Sequence, residues 1–459
     1  MKSPIKAKYW RGRSLKARVA VAAITAASVA GASALGVSGA SAKGKSAQLV
    51  VWIDTSRVPY EKAYMAANPH ANIKWVIYNG NQNGTGVLQS KFALWNRTGW
   101  PSDAPDVMFD SQNYDAVQLG SPPYNDLLNL KSYVSKKVLG NFAGTSMKAG
   151  CTTPSGQVVC LRNDSAAEVL WVNPTLYAKF FGTAAVPTTW AGLLADGTAL
   201  NSKGYYIGSV GDGFSVDDYF LWANGCPLDQ VIGKGKIEIN PQSTNCTGIA
   251  NLMDSSGDVG KSLSDTSIFA MPGGATKIVM AVGALWEGTA VFQTGTSTGV
   301  ANGTMVAYPA PTATSGQAIT GDLGGGLWLV SKHSHNAKAA AALATYMATS
   351  PNVQKVGVDA GLPQYVPDQA TYLSSLSTVF GDPSVTEATW KQAAAQVWDG
   401  WSPVPWSTDN VWASTDLANV TGGKPIAGEL EPYAEALANQ ARLAGYTVVS
   451  PDKAVSSPS

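Results

Sequence analysis

Residues 165–194, SAAEVLWVNPTLYAKFFGTAAVPTTWAGLL, join a strand, a turn, a helix and the start of a second helix, and the rest of the chain can be placed outward from them. Residues 168–172 form an apolar, β-rich run that contains a tryptophan. Asn173-Pro174 ends that run with a turn, which also offers a helix N-cap and a first-turn proline. Leu176 with Phe180, and Tyr177 with Phe181, are the i,i+4 pairs of a helix, and Gly182 is its expected stop. Pro187-Thr188-Thr189-Trp190 caps a further helix that runs through Leu193, Leu194 and Leu200.

Upstream, residues 48–53 (QLVVWI) read as a buried first strand, ended by Asp54-Thr55-Ser56. Residues 60–68 read as helix, 72–78 as an alternating strand, 88–95 as helix and 105–109 as strand. This β-α-β-α-β order predicts a parallel sheet with helices on both faces. Signals weaken over residues 205–269, where Gly, Asp and Ser are dense, with a buried aromatic helix expected around Tyr219, Phe220 and Trp222. Residues 277–282, 303–308 and 326–330 read as strands, and 337–349 as an alanine-rich helix closed by Ser350-Pro351.

The first 42 residues carry seven of the chain's 32 basic residues and no acid, followed by an Ala/Val/Ser/Gly run that ends Ala40-Ser41-Ala42. That is the pattern of a signal peptide with an A-x-A cleavage site. The competing reading, a retained membrane anchor, is weakened by the Ser- and Gly-rich end of the run. Cleavage after Ala42 would leave 417 of 459 residues, with 25 basic against 31 acidic side chains. Such a balance does not support a nucleic-acid partner, and the length favours two or three domains. Charged residues make up only 14%, beside 47 glycines and 15 tryptophans, so neutral polar groups and aromatic planes dominate the surface chemistry.

Four cysteines fall into two local pairs, Cys151 with Cys160 and Cys226 with Cys246. In an exported chain an even count reads as disulfides. Of three connectivities the local one is expected, because it closes short loops; four buried thiols are the alternative.

The segment order strand, Asn-Pro, helix, Pro-x-Thr-Trp resembles the extracellular solute-binding proteins of bacterial ABC importers, family 1, the sugar-binding group that contains maltose-binding protein. Val172 stands where that family usually has Tyr, and Gly192 where an acid is common. The resemblance continues at Pro105-Asp106-Val107, from Met280 to Trp286, at Gly325-Gly326 with Ser331-Lys332, and at Gly361-Leu362-Pro363, spanning nearly the whole mature chain. It implies an α/β fold of two discontinuous lobes, the type II periplasmic-binding-protein fold, with a ligand cleft between them. By this carry-over residues 46–163 and 311–370 form the N-terminal lobe, and 164–310 and 371–450 the C-terminal lobe, with 451–459 a flexible tail. It further implies a neutral sugar or oligosaccharide ligand, ABC permease subunits as partners, a monomer in the periplasm or outside the cell, and no cofactor.

Enzyme motifs are sparse. The three histidines, His70, His333 and His335, have no nucleophile beside them, and neither a G-x-S-x-G elbow nor a phosphate-binding G-x-x-x-x-G-K-[ST] loop occurs. His333 and His335 have too few neighbouring ligands for a metal site. A secreted hydrolase with paired carboxylates is the main rival, drawing on Asp106, Asp110, Asp164, Asp212, Asp217, Glu287 and Asp322. A sensory or adhesive binding protein of the same fold is the third reading.

Tryptophans at segment ends point instead to stacking on sugar C–H faces. Trp286 falls on the tryptophan of the family's A-M-x-x-x-G-S-W motif, with Ala284-Leu285 in place of Gly-Ser. Trp52 closes the first strand, and Trp328 follows the glycine pair. Of Trp398, Trp401, Trp406 and Trp412, the resemblance favours Trp406 and Trp412 as a cleft wall. Asp110, at the end of a strand, and Asp164 with Ser165, at the first crossing, complete the expected ligand contacts.

Overall fold

The computed structural model describes residues 48–79, 87–113, 115–142, 144–212, 214–259, 274–293, 300–357 and 360–450. The expected signal peptide and the tail at 451–459 lie outside them. The strands in chain order are β1 (Leu49–Ile53), β2 (Ile73–Ile77), β3 (Val107–Asp110), β4 (Cys160–Arg162), β5 (Asp164–Ser165), β6 (Glu168–Val172), β7 (Gln230–Gly233), β8 (Lys236–Glu238), β9 (Met280–Ala284), β10 (Val306–Pro309), β11 (Leu327–Val330), β12 (Leu362–Pro363) and β13 (Thr447–Val449).

The deciding stretch folds as its residues dictate. Strand β6 is buried along its whole length, and its side chains alternate: Leu170 and Val172 enter one hydrophobic core, while Val169 and Trp171 enter another on the opposite face. Asn173 Oδ1 accepts from the Leu176 amide (3.0 Å) and starts the Pro174–Phe181 helix, which Gly182 ends in the left-handed region at φ 68°. Thr189 Oγ1 caps the Trp190–Asn201 helix by accepting from Gly192 N (3.2 Å). A Cβ at Gly192 would meet Pro187 Cβ and Thr189 Oγ1 at 3.2 Å, a close contact in this entry turn.

One core surrounds a five-stranded sheet ordered β2-β1-β3-β11-β4. The β1–β2 and β1–β3 pairs are parallel, as expected, but β11 runs antiparallel to both β3 and β4, so the fully parallel expectation holds only for the first three strands. The second region is built on β10-β6-β9, which is antiparallel throughout, with helices over both faces. A smaller sheet, β13-β8-β7, adds Ile237 to the same core. The expected aromatic helix is a π-helical turn, Phe214–Leu221, followed by the 3₁₀ turn Trp222–Asn224.

The chain passes between the two regions at residues 162–166, 322–326 and 360–364. The stretch that follows the expected boundary near residue 311 stays in contact with the second region. Thr312 N donates to Thr188 O (2.9 Å), Thr314 N to Asn224 Oδ1 (2.8 Å) and Gly321 N to Glu168 Oε2 (2.7 Å), which keeps residues 312–321 on the second region. Likewise Leu362, expected with the first lobe, packs in a core of the second region, as does Tyr372.

Both disulfides form with the local connectivity, Cys151–Cys160 in the first core and Cys226–Cys246 in the second. Among the described residues no helix is long and apolar enough to cross a membrane.

Candidate functional site

Three parallel strands end side by side, and the polar residues that follow them form one wall. Asp54, after β1, caps the next turn by accepting from Arg57 N (2.9 Å). The Arg57 guanidinium lies over the Phe109 ring, 4.2 Å from its centroid. Asn79, after β2, accepts from both Thr55 N (2.9 Å) and Thr55 Oγ1 (3.0 Å), tying the first two strand ends together. Trp52 is half-buried, with its ring centroid 4.5 Å from Tyr78 and 5.9 Å from Trp95, and the Lys91 ammonium lies near both Trp52 and Tyr78.

Asp110 ends β3 fully buried, accepting from Gln112 N (2.9 Å). Its carboxyl also bonds to that of Asp115, which accepts from Gln89 Nε2. Burial, with the Asp115 charge added, pushes Asp110 well above the usual carboxylate range, and burial brings Asp115 to about 6. Burial of two bonded carboxyls thus favours keeping a proton on Asp110, which lowers the charge of the pair.

The crossing is a dense clamp. Asp164 Oδ1 accepts from Gly326 N (2.9 Å) and Asn163 Nδ2 (2.9 Å), while Oδ2 accepts from Gly361 N (2.6 Å), so one carboxylate fastens all three crossing segments. Asp322 Oδ1 accepts from Ala166 N (2.6 Å), and Oδ2 pairs with Arg162 Nη2 (2.9 Å), both side chains being fully buried. Arg162 Nε donates to Asp164 O (3.0 Å) and Nη2 to Gly324 O (2.7 Å). A Cβ on Gly325 would overlap that guanidinium, and Gly325 sits at φ 79°, so glycine is required there. Asp164, expected as a ligand contact, is placed with its carboxylate occupied by backbone amides. Ser165 is buried in the same clamp and pairs with Leu362.

On the opposite side, Trp286 follows β9, half-buried, and donates from Nε1 to Leu323 O (2.9 Å). Glu287 turns inward and accepts from Tyr219 Oη (2.5 Å); burial pushes its carboxyl up to about 8. The other tryptophans expected at the ligand are core residues. Trp328 is fully buried in the first core, edge-on to Phe109, with its N–H on Asn163 Oδ1 (3.2 Å). Trp412 is fully buried against Tyr433 with its N–H on Gly211 O (3.0 Å), and Trp406 is buried beside Tyr446. Each follows or lies in an apolar segment whose far side is also covered, so its ring fills a core.

The structure therefore brings Trp286 to the crossing and Trp52 with Asp110 to the strand ends, and leaves Trp328, Trp406 and Trp412 inside. The sequence reading missed Arg162 altogether and took Asp322 only for a possible catalytic acid. The signal available was the run Arg162-Asn163-Asp164, a charged pair one residue apart inside an otherwise apolar passage. Asp106, another candidate acid, accepts from Val50 N (2.7 Å) and Ser334 Oγ (2.5 Å) at the start of β3, away from the strand ends. Among the described residues no group of three or more His, Cys, Asp or Glu is arranged to hold a metal ion.

No family model matches the sequence, and no curated protein matches it. Solved structures do match the fold. The ABC transporter associated binding protein of B. animalis subsp. lactis Bl-04, in complex with β-1,6-galactobiose, superposes with a TM-score of 0.68 at 18% identity, covering 87% of this chain and 99% of that one. This is the two-lobed binding-protein fold. The galacto-N-biose-/lacto-N-biose I-binding protein of the Bifidobacterium longum ABC transporter, in complex with lacto-N-biose, gives 0.66 at 16% identity over 88% and 98% of the chains. The cyclic α-maltosyl-1,6-maltose binding protein of Arthrobacter globiformis gives 0.64 at 14% over 86% and 99%. Trp52 packs against the core of the five-stranded sheet and Trp286 against the core built on β6 and β9.

Proposed function

We propose that this chain is the substrate-binding component of an ABC importer and that it captures a neutral sugar or oligosaccharide between its lobes by hinge closure. The observation that carries the reading is Trp286: a half-buried indole held by its N–H at the passage between lobes, where a ring face can take the C–H side of a sugar. The names of the matched structures support the same class, since two of them are complexes with a disaccharide and the third is named for the cyclic oligosaccharide it binds. The lobes divide near residues 163, 324 and 360, the protein acts as an exported monomer, and its macromolecular partners are the permease subunits. No bond is made or broken: the Asp110 and Asp115 carboxyls bond to each other, without the gap of about 5 Å or more that glycosidases leave between their two acids.

A thermal-shift panel of β-1,6-galactobiose, lacto-N-biose, mannotriose and maltose tests this. A sugar at about 100 times its Kd should stabilise the protein by ~2.7 kcal/mol and be recovered intact after prolonged incubation. Absence of any shift across neutral sugars, or release of product lost on changing a single carboxylate, would contradict it.

A further inference from the structure

The Gly144–Cys151 helix lies against the crossing clamp, and its residues divide by helical spacing. Met147 and Cys151, four apart, enter the core of the five-stranded sheet, while Ser146 and Gly150, also four apart, face the Arg162–Asp322 pair. The Ser146 hydroxyl bonds to the Asp322 carboxyl. A Cβ on Gly150 would lie 2.9 Å from Arg162 Nη1, so the helix backbone rests directly on the guanidinium. That nitrogen is buried without a hydrogen-bond partner among the described residues, and from the second region the Trp401 ring covers the guanidinium, its centroid 5.6 Å from Cζ. Nη1 is therefore the group that a water would bond if the helix moved off it.

One covalent bond fixes this helix to the strand that carries Arg162. Cys151 is the last residue of the helix, Cys160 opens β4, and Arg162 ends β4. The bond closes a sequence separation of 9, against 20 for Cys226–Cys246, so it constrains the unfolded chain less. The same turn is already closed in the folded protein by Val159 N on Cys151 O (2.9 Å) and Thr153 N on Gln157 O (2.9 Å). We infer that the helix is a lid over the Arg162–Asp322 pair and that Cys151–Cys160 is the staple that holds the lid, so that opening the disulfide weakens the ion pair. The physical reason is dielectric: charges sealed from water attract each other more strongly than charges that water reaches. Because the pair joins two of the crossing segments, the state of the disulfide sets how firmly those segments are tied. In an exported chain the clamp is then completed only where the disulfide can form.

A double-mutant cycle on the full chain, read by chemical denaturation without reductant, tests this. Its corners are wild type, Asp322→Asn, Cys151→Ala with Cys160→Ala, and the combination. Asp322→Asn should change the unfolding constant by about tenfold less when the disulfide is absent, the coupling expected of neighbours in one network. A second cycle, against Cys226→Ala with Cys246→Ala, should leave the effect of Asp322→Asn unchanged within about twofold, as for sites that share no partner. If Cys151–Cys160 acted only by constraining the unfolded chain, Asp322→Asn would cost the same factor with and without it, and that result overturns the inference. Should any of these variants fail to fold, Ser146→Ala decides, since it keeps both disulfides and the ion pair. Alkylation and peptide mapping after timed exposure to a phosphine should then show Cys151–Cys160 opening several-fold faster, relative to Cys226–Cys246, than in wild type. An unchanged ratio overturns the inference.

Discussion

Two groups of buried aspartates show how the same desolvation is met in different ways. At the crossing, Asp164 and Asp322 are enclosed by donors: three backbone amides, the Asn163 amide and the Arg162 guanidinium. In the second lobe, Asp217, Asp218 and Asp229 are as deeply buried, yet none of the ion pairs among the described residues reaches them. Asp218 accepts from Thr408 Oγ1 (3.3 Å), and the only side chains that offer Asp217 a hydrogen bond are the neutral hydroxyls of Thr408 and Tyr433. Burial pushes Asp217 up to about 7, and burial together with its neighbours' charges carries Asp218 and Asp229 well above their usual range. The crossing acids are thus pinned by donors, while burial among other acids favours the protonated form of the second-lobe aspartates. Breaking a pin strands other groups; neutralising a second-lobe aspartate strands none.

The largest expected effect is therefore at the crossing. Asp322→Ala removes the partner of a buried guanidinium and should cost about 3 to 5 kcal/mol of folding stability, the usual scale for an orphaned buried charge. Chemical denaturation of wild type and variant checks it, and a loss below about 1 kcal/mol, the scale of an exposed pair, would remove the distinction between the two groups.

The second-lobe acids predict a pH dependence of definite sign. Asp217 and Glu287 have folded pKa values raised to about 7 and about 8, so the folded state holds protons that the unfolded state has released. Their stabilising contribution is complete below the unfolded values near 4 and is lost as pH rises through about 8. Melting temperature should fall from pH 5 to pH 8, and Asp217→Asn, which stays neutral, should flatten part of that slope. A wild-type melting temperature that rises over this range would show that ionised, well-paired carboxylates dominate both groups.

The contrast also marks how far the sequence could be read. Local signals were legible where one residue type has one physical use: Asn173 capping, Gly182 in the left-handed region, and the alanine-rich helix, found at Ala337–Thr349. The antiparallel course of β11 was not, because the apolar run LWLV fits a buried strand of either direction. The resemblance puts a lobe boundary near residue 311, whereas the turn proposed for it lies at Gly324-Gly325, held by side chains distant in sequence and so invisible to a local reading. Tryptophan roles were the least legible. Trp286, Trp328 and Trp412 all lie within or beside apolar segments, and only the tertiary neighbours separate a half-buried ring at a passage from one closed inside a core.

That separation gives the smallest effect on folding and the sharpest test of function. Trp286→Ala and Trp412→Ala should be compared by calorimetry against whichever panel sugar stabilises the wild type, together with melts of the ligand-free proteins. The account predicts that Trp286→Ala loses roughly 1 to 3 kcal/mol of binding, by analogy with stacking on aromatic rings, and barely changes the melt. Trp412→Ala should lose about 3 to 5 kcal/mol of folding stability, as buried aromatics do. Unchanged sugar affinity in Trp286→Ala, beside a large fall in its melting temperature, would contradict the account by placing Trp286 in the core.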